Sequence, residues 1–172
     1  MVAYRRNFVP GGTFFFTVTL RDRRSRLLVE RIDDFRTAYE HVHRARPFKT
    51  DAIVVLPDHL HCIWTLPDGE ADYAGRWRAI KARFTSACRR AGVALNRDHA
   101  RAFDLWQRRY WEHTIRDERD FEAHVNYIHF NPVKHRHATA PRDWPHSSFN
   151  RFVREGLLAP DWAVVPEIEL PE

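Results

Sequence analysis

Residues 50–66 read T-D-A-I-V-V-L-P-D-H-L-H-C-I-W-T-L. These are two β-branched, apolar runs, Thr50–Leu56 and His59–Leu66, separated only by Pro57 and Asp58. Runs of this composition favour extended backbone, and so short a turn between them predicts an antiparallel hairpin. The other elements must be arranged around that hairpin. It is preceded by Thr13–Leu20 (T-F-F-F-T-V-T-L), which reads as a strand. From Ile32 to Arg46, the positions Ile32, Phe35, Tyr39 and Val42 recur at helical spacing, with Asp33 and Asp34 early, where negative charge suits a helix N-terminus. After Pro67-Asp68-Gly69, the segment Ala71–Ala91 carries Trp77, Ile80, Phe84 and Cys88 as one apolar stripe among arginines and lysines, an amphipathic basic helix.

Residues 92–105 are irregular and polar. Tyr110–Arg116 reads as a fourth strand leading into a helix from about Asp117 to His129. The order β-α-β-β-α-β predicts an α+β, ferredoxin-like (RRM-like) antiparallel sheet, with an additional C-terminal helix that carries Tyr127. Six Trp and twelve Phe in 172 residues are enough for one packed core. One domain is therefore expected over 1–155, with 156–172, rich in proline and acid toward its end, as a loosely held tail.

A formal charge of +5 and a pI near 9.6 favour a polyanionic partner, although a solvated basic surface produces the same figures. Cys62 and Cys88 are the only cysteines and form no C-x-x-C pair, which argues against a disulfide framework or a cysteine-rich zinc site. No apolar leader follows Arg5 and Arg6, and no run approaches the roughly 18 apolar residues of a membrane span, so a cytoplasmic location without membrane contact is expected.

Two stretches carry chemistry. In His59-Leu60-His61 the imidazoles at i and i+2 of a strand share one face, which is half of a site for a divalent cation; two surface histidines are the bland alternative. In Tyr127-Ile128-His129-Phe130-Asn131-Pro132 the residues at i and i+4 share a helix face, and Pro132 is expected to end the helix and push Asn131 out of helical geometry. The alternative there is a half-buried tyrosine and a helix-capping asparagine. Combined, the stretches predict phosphodiester chemistry. A cation held by His59, His61 and Asn131 neutralises a non-bridging oxygen while the Tyr127 hydroxyl attacks phosphorus. The resulting phosphotyrosine ester preserves the energy of the broken bond, so a 3′-hydroxyl can reseal the strand without a nucleotide cofactor. The absence of a G-x-x-x-x-G-K-[ST] loop agrees with this.

The stretches P-D-H-L-H-C-I-W, Y-W-E-H-T-I-R-D-E-R-D-F, Y-I-H-F-N-P-V-K and D-W-P-H-S-S-F, in this order over roughly residues 10–152, resemble the REP-associated tyrosine transposases, relatives of the single-strand insertion-sequence transposases. The resemblance implies a ferredoxin-like catalytic domain with His59 and His61 as metal ligands, Tyr127 as nucleophile and Asn131 as a further ligand. It also implies a divalent metal, Mg²⁺ or Mn²⁺, and single-stranded DNA folded into imperfect palindromic hairpins as substrate. Arg78, Lys81 and Arg83 of the basic helix, Arg108, Arg109 and Trp111 before and in the fourth strand, and Lys134 are the expected DNA contacts, by phosphate charge and base stacking. Segment 106–111 as a whole is favoured as a DNA contact. Glu112 and His113 alternate in a strand, so at most one can face the metal, and neither is assigned a role. Two other readings stay open: a non-catalytic single-strand-binding module, and a phosphoesterase in which water attacks. Both a monomer and a dimer that exchanges the tyrosine helix are compatible with the sequence.

Overall fold

Alternation along the strand Thr13–Thr19 (β1) sends Phe14, Phe16 and Val18 to one face and Phe15, Thr17 and Thr19 to the other, and the fold covers both faces. The computed structural model describes residues 8–100 and 102–163. After β1 come a short helical turn α1 (Leu27–Glu30), α2 (Ile32–Ala45), β2 (Lys49–Val55), β3 (His59–Thr65), α3 (Tyr73–Arg90), β4 (Trp111–Thr114), α4 (Glu118–Lys134), a 3-10 turn (Pro141–Asp143) and α5 (Phe149–Arg154). The sheet order is β2-β3-β1-β4 with every neighbouring pair antiparallel, which is the ferredoxin-like arrangement read from the element order. The part of the expected tail from 164 onward, and Arg5 and Arg6, lie outside the described residues.

Helices α2 and α3 cover the face that carries Phe14, Phe16, Leu60, Cys62 and Trp64. There Trp64 stacks on Trp77 with ring centroids 4.2 Å apart, and its indole N–H donates to the Tyr39 hydroxyl at 2.7 Å, so the polar edge of a fully buried ring is satisfied. Burying each such ring contributes about 1.5–3 kcal/mol. Helix α4 covers the other face, packing Val125 and Ile128 against Phe15, Ala52, Val54 and Ile63. The outer edge of β2 is capped by residues 146–148, whose backbone bonds to Val55 and Ile53 at 2.8 Å leave that edge no free ladder.

Helix α4 departs from the sequence expectation. It does not stop before Pro132 but runs on to Lys134, so Asn131 keeps helical geometry. A proline this near the C-terminus removes one backbone bond, and Pro132 is buried, so its packing offsets that loss. The helix closes in a Schellman turn: the N–H of Arg136 (φ +58°) bonds Val133 O and that of His137 bonds Pro132 O at 2.8 Å.

His129, fully buried one turn before this end, ties α4 to the capped edge. Ser148 Oγ lies 2.9 Å from its Nε2, accepts from Ile53 N and points its own proton at Ile53 O (3.2 Å), which leaves the histidine as donor. Burial, aided by the nearby Arg151 charge, pushes the His129 pKa down to about 3. The unfolded chain therefore binds a proton that the folded one refuses, and stability is expected to fall as pH drops from about 6.5 toward 3. Urea midpoints recorded from pH 7 to pH 4 should decline in the parent protein and decline less steeply in His129→Gln. Parallel slopes would show that His129 does not carry the effect.

Candidate active site

The register pairs Thr17 with His61 and Thr19 with His59, and both imidazoles rise from the sheet toward α4. Their rings are 4.9 Å apart and nearly perpendicular, and only 4% and 2% of each residue is exposed. Each ring is oriented from behind through Nδ1. His59 Nδ1 meets Asp58 Oδ1 at 2.8 Å, and Asp58 is held by Arg23 at 2.7 Å. His61 Nδ1 meets Thr17 Oγ1 at 2.8 Å. Fixing Nδ1 aims Nε2 at the space under α4. Burial lowers the pKa of both histidines, more for the deeper His61, where charge on Lys134 and any on His59 or His135 acts in the same direction, while Asp58 partly offsets the effect on His59. Both rings are thereby kept neutral, the form that binds a cation.

Helix α4 supplies the rest. Asn131 is fully buried, its amide donates to Tyr127 O at 3.4 Å, and its side chain lies close enough to both histidines to favour their protonated forms. Yet neither Asn131 Oδ1 nor His61 Nε2 has a hydrogen-bond partner, although both are buried. With the His61 proton on Nδ1, toward Thr17, both atoms are buried acceptors without donors, and a divalent cation is a group they would fit. One turn earlier on α4, the Tyr127 ring lies 5.1 Å from His61 and 5.9 Å from Phe15, and Lys134 Nζ lies 4.9 Å from that ring. The Tyr127 ring thus lies beside the His61 imidazole of its own chain.

The other expected contacts divide between the faces. Trp111, opposite Thr17 on β4, stands on the His61 face and is 61% exposed. Trp106, in contrast, belongs to the core against α3, with its indole N–H on Lys81 O and Thr85 Oγ1, which corrects the reading of 106–111 as one DNA-contacting unit. Arg109 is exposed, and Arg108 pairs with Asp98 at 3.2 Å. Arg78 and Arg83 are exposed on α3, across the sheet from the twin histidines. Lys81 is bound to Gln107 O at 3.2 Å and lies over the Tyr110 ring.

Sequence reasoning left several residues unassigned. Thr17 and Asp58, which orient the histidines, are one case; Asp58 directly precedes His59, but its role needs the turn's geometry. His113 pairs with Phe15 and so faces α4, while Glu112 pairs with Phe16 and faces the other way. His113, Asp120 and His124 bring ligand atoms within 4.8 Å of one another, the only such group of His, Cys, Asp and Glu among the described residues. There, however, the donors are spent on each other. Asp120 accepts from His113 at 2.8 Å and from Arg116 at 2.9 Å, and His124 Nδ1 sits on Asp120 O at 2.8 Å. Burial alone would raise the Asp120 carboxyl, but the bonds from His113 and Arg116 overcome it and bring the pKa down to about 2. The cluster staples the first turns of α4 to β4 and so sets where Tyr127, three residues beyond His124, is delivered.

No protein-family model matches the chain. It is 49% identical over 163 residues to the REP-associated tyrosine transposase of Escherichia coli K12, an alignment covering 95% of this chain and 92% of that protein. The chain belongs to the REP-associated tyrosine transposases. A relative from Haemophilus influenzae is 41% identical over 174 residues, covering 99% of this chain and 98% of its own length. The solved structure of a REP-associated tyrosine transposase bound to a REP hairpin superposes with a TM-score of 0.86 at 47% identity, over 98% of this chain and 94% of that one. The tyrosine transposases are DNA strand-cleaving and joining enzymes, and this protein is one of them. No helix among the described residues is long and apolar enough to cross a membrane.

Proposed function

We propose that this transposase cleaves and rejoins single-stranded, hairpin-forming DNA through a phosphotyrosine on Tyr127, assisted by Mg²⁺ or Mn²⁺ held by His59, His61 and Asn131. The observation that carries the reading is the Tyr127 ring 5.1 Å from the His61 ring, on a helix whose Asn131 Oδ1 is, like His61 Nε2, a buried atom without a hydrogen-bond partner. When bound, the cation supplies Lewis acidity at a non-bridging phosphate oxygen. The protein's own groups do the rest. Asp58 and Thr17 keep the imidazoles aimed, Asn131 holds the third position, and α4 sets the phenol beside the phosphate. The Tyr127 oxygen bonds to phosphorus as the bond to O3′ breaks, the phenol giving up its proton and the departing 3′-hydroxyl gaining one. The reverse attack rejoins the strand. The Lys134 ammonium over the phenol ring favours negative charge developing there. The exposed Trp111 ring, opposite Thr17, and Lys134, over the Tyr127 ring, are the DNA contacts placed beside this chemistry, with Arg108 and Arg109 preceding Trp111 in the chain. Arg78, Lys81 and Arg83 would be reached by DNA that continues around the β4 edge onto α3.

The His59 site suits the metal better than the His113 cluster because its acceptors are unspent. The hairpin substrate follows the bound relative, which shares the fold over nearly the whole chain. The test is a denaturing gel of protein incubated with end-labelled hairpin strand, with Mn²⁺ or with EDTA. A metal-dependent, protein-linked label supports the proposal. Cleavage without an adduct indicates attack by water, and chelator-indifferent binding without cleavage indicates a binding module.

Asp58→Asn gives a finer check. It keeps the shape but removes the carboxylate that fixes the His59 tautomer, so Mn²⁺ affinity measured by calorimetry should fall about 10- to 100-fold. Unchanged affinity would remove Asp58 from the site.

A further inference from the structure

We propose that the cleft beyond His59, on the side away from Tyr127, is the subsite for the single-stranded nucleotides that end in the leaving 3′-hydroxyl. This rests on the Tyr127 chemistry above and adds where the departing strand is held. The cleft has a volume of about 410 Å³ and is lined by the arginine-rich stretch 23–26, by Asp58 and His59, and by His135 and His137.

Three observations converge on it. The first is direction. Along α4, His124 lies beside Phe15, Tyr127 beside His61, and His135 follows the helix end beside His59, with ring centroids 4.7, 5.1 and 5.1 Å apart respectively. The helix therefore runs over the site from nucleophile to cleft. In-line displacement puts the leaving oxygen opposite the attacking one. With the phenol on the His61 side, O3′ and its nucleotide depart on the His59 side, into the cleft.

The second is charge. Arg23 is committed to Asp58, but Arg24 is paired only with the exposed Asp22, a bond that water screens, and no carboxylate pairs with Arg26 among the described residues. Two guanidinium groups are left for backbone phosphates.

The third is a track of rings. The Schellman turn at Arg136 brings His135 and His137 side by side, 6.3 Å apart at 26°, and His137 lies 5.4 Å from Trp144 at 32°. His135 and His137 are exposed and Trp144 is half-buried, so unpaired bases can stack where a paired duplex could not. Phosphate-seeking charge beside base-sized rings selects single-stranded DNA over an isolated anion, which would have no use for the rings.

The experiment measures binding of a short, 5′-fluorescein-labelled, single-stranded oligonucleotide ending in a 3′-hydroxyl, by anisotropy across a salt series. The same oligonucleotide then serves as acceptor for the preformed covalent adduct. R24A/R26A should weaken binding about ten-fold at low salt and lower the slope of log K against log salt by about one to two. H137A should weaken it several-fold with the slope kept, because stacking releases few counterions. The acceptor concentration for half-maximal rejoining should rise in step. Equal affinity and equal slope in the parent protein and R24A/R26A would overturn the proposal. Failure of the parent protein to form an adduct would instead refute the Tyr127 chemistry, and the anisotropy series would still report on the cleft.

Discussion

Tyr127→Phe is expected to abolish strand cleavage, lowering the rate by at least about 10⁴-fold, while hairpin affinity stays within a few-fold. The substitution removes one oxygen and nothing else. The ring keeps its places against Phe15 and His61 and beneath Lys134, so neither α4 nor the surface that meets DNA has reason to move. Without a phenol no ester can form, and the protein-linked label should vanish from the gel whatever metal is present. Residual cleavage that yields free product would show that water can attack in its place. An adduct of undiminished intensity would place the nucleophile elsewhere in the chain.

His61→Ala is expected to lower cleavage about 10²- to 10⁴-fold, the range set by several kcal/mol of charge stabilisation at the phosphate, and chelation of the parent protein should do the same. His61 is the better probe of the pair because its Nε2 is the buried atom left without a partner, whereas His59 also borders the cleft. Removing a buried ring costs stability as well, so a melting curve must show the variant folded at the assay temperature. Calorimetry with Mn²⁺ separates the two candidate metal positions. Loss of the binding isotherm in His61→Ala but not in His113→Ala locates the ion under α4. The opposite pattern would transfer it to the His113, Asp120 and His124 group.

Much of the candidate site's geometry was legible because its key relations are local. Two histidines at i and i+2 of a strand share a face in any sheet, and a tyrosine and asparagine at i and i+4 share a face of any helix. What supports those residues was not legible. Thr17 lies 44 residues from His61, and only the β1–β3 register makes it the partner of Nδ1. The same holds for His113, which turns toward α4 because β4 pairs with β1 at Phe15; a shift of one residue would have presented Glu112 instead. Trp106 and Trp111, five residues apart, looked alike as aromatic neighbours of arginines. One is sealed against α3 and the other stands 61% exposed on an edge strand. Pro132 misled for a related reason: its preference for ending a helix is real, but small beside the packing of a buried helix end.

Alternation of side chains, helical spacing and turn chemistry, all acting within a few residues, sufficed to determine the β-α-β-β-α-β order, the paired imidazoles and the phenol one turn from an amide. Only the tertiary structure decided that α4 lies over the His59–His61 face of its own chain, that Asp58 and Thr17 aim the rings, and that an arginine-lined cleft opens beyond them. The physical reason is range. Dihedral preferences and side-chain periodicity are properties of neighbouring residues, whereas register and docking minimise the exposure of apolar surface over the whole chain at once. No short stretch of sequence contains that sum.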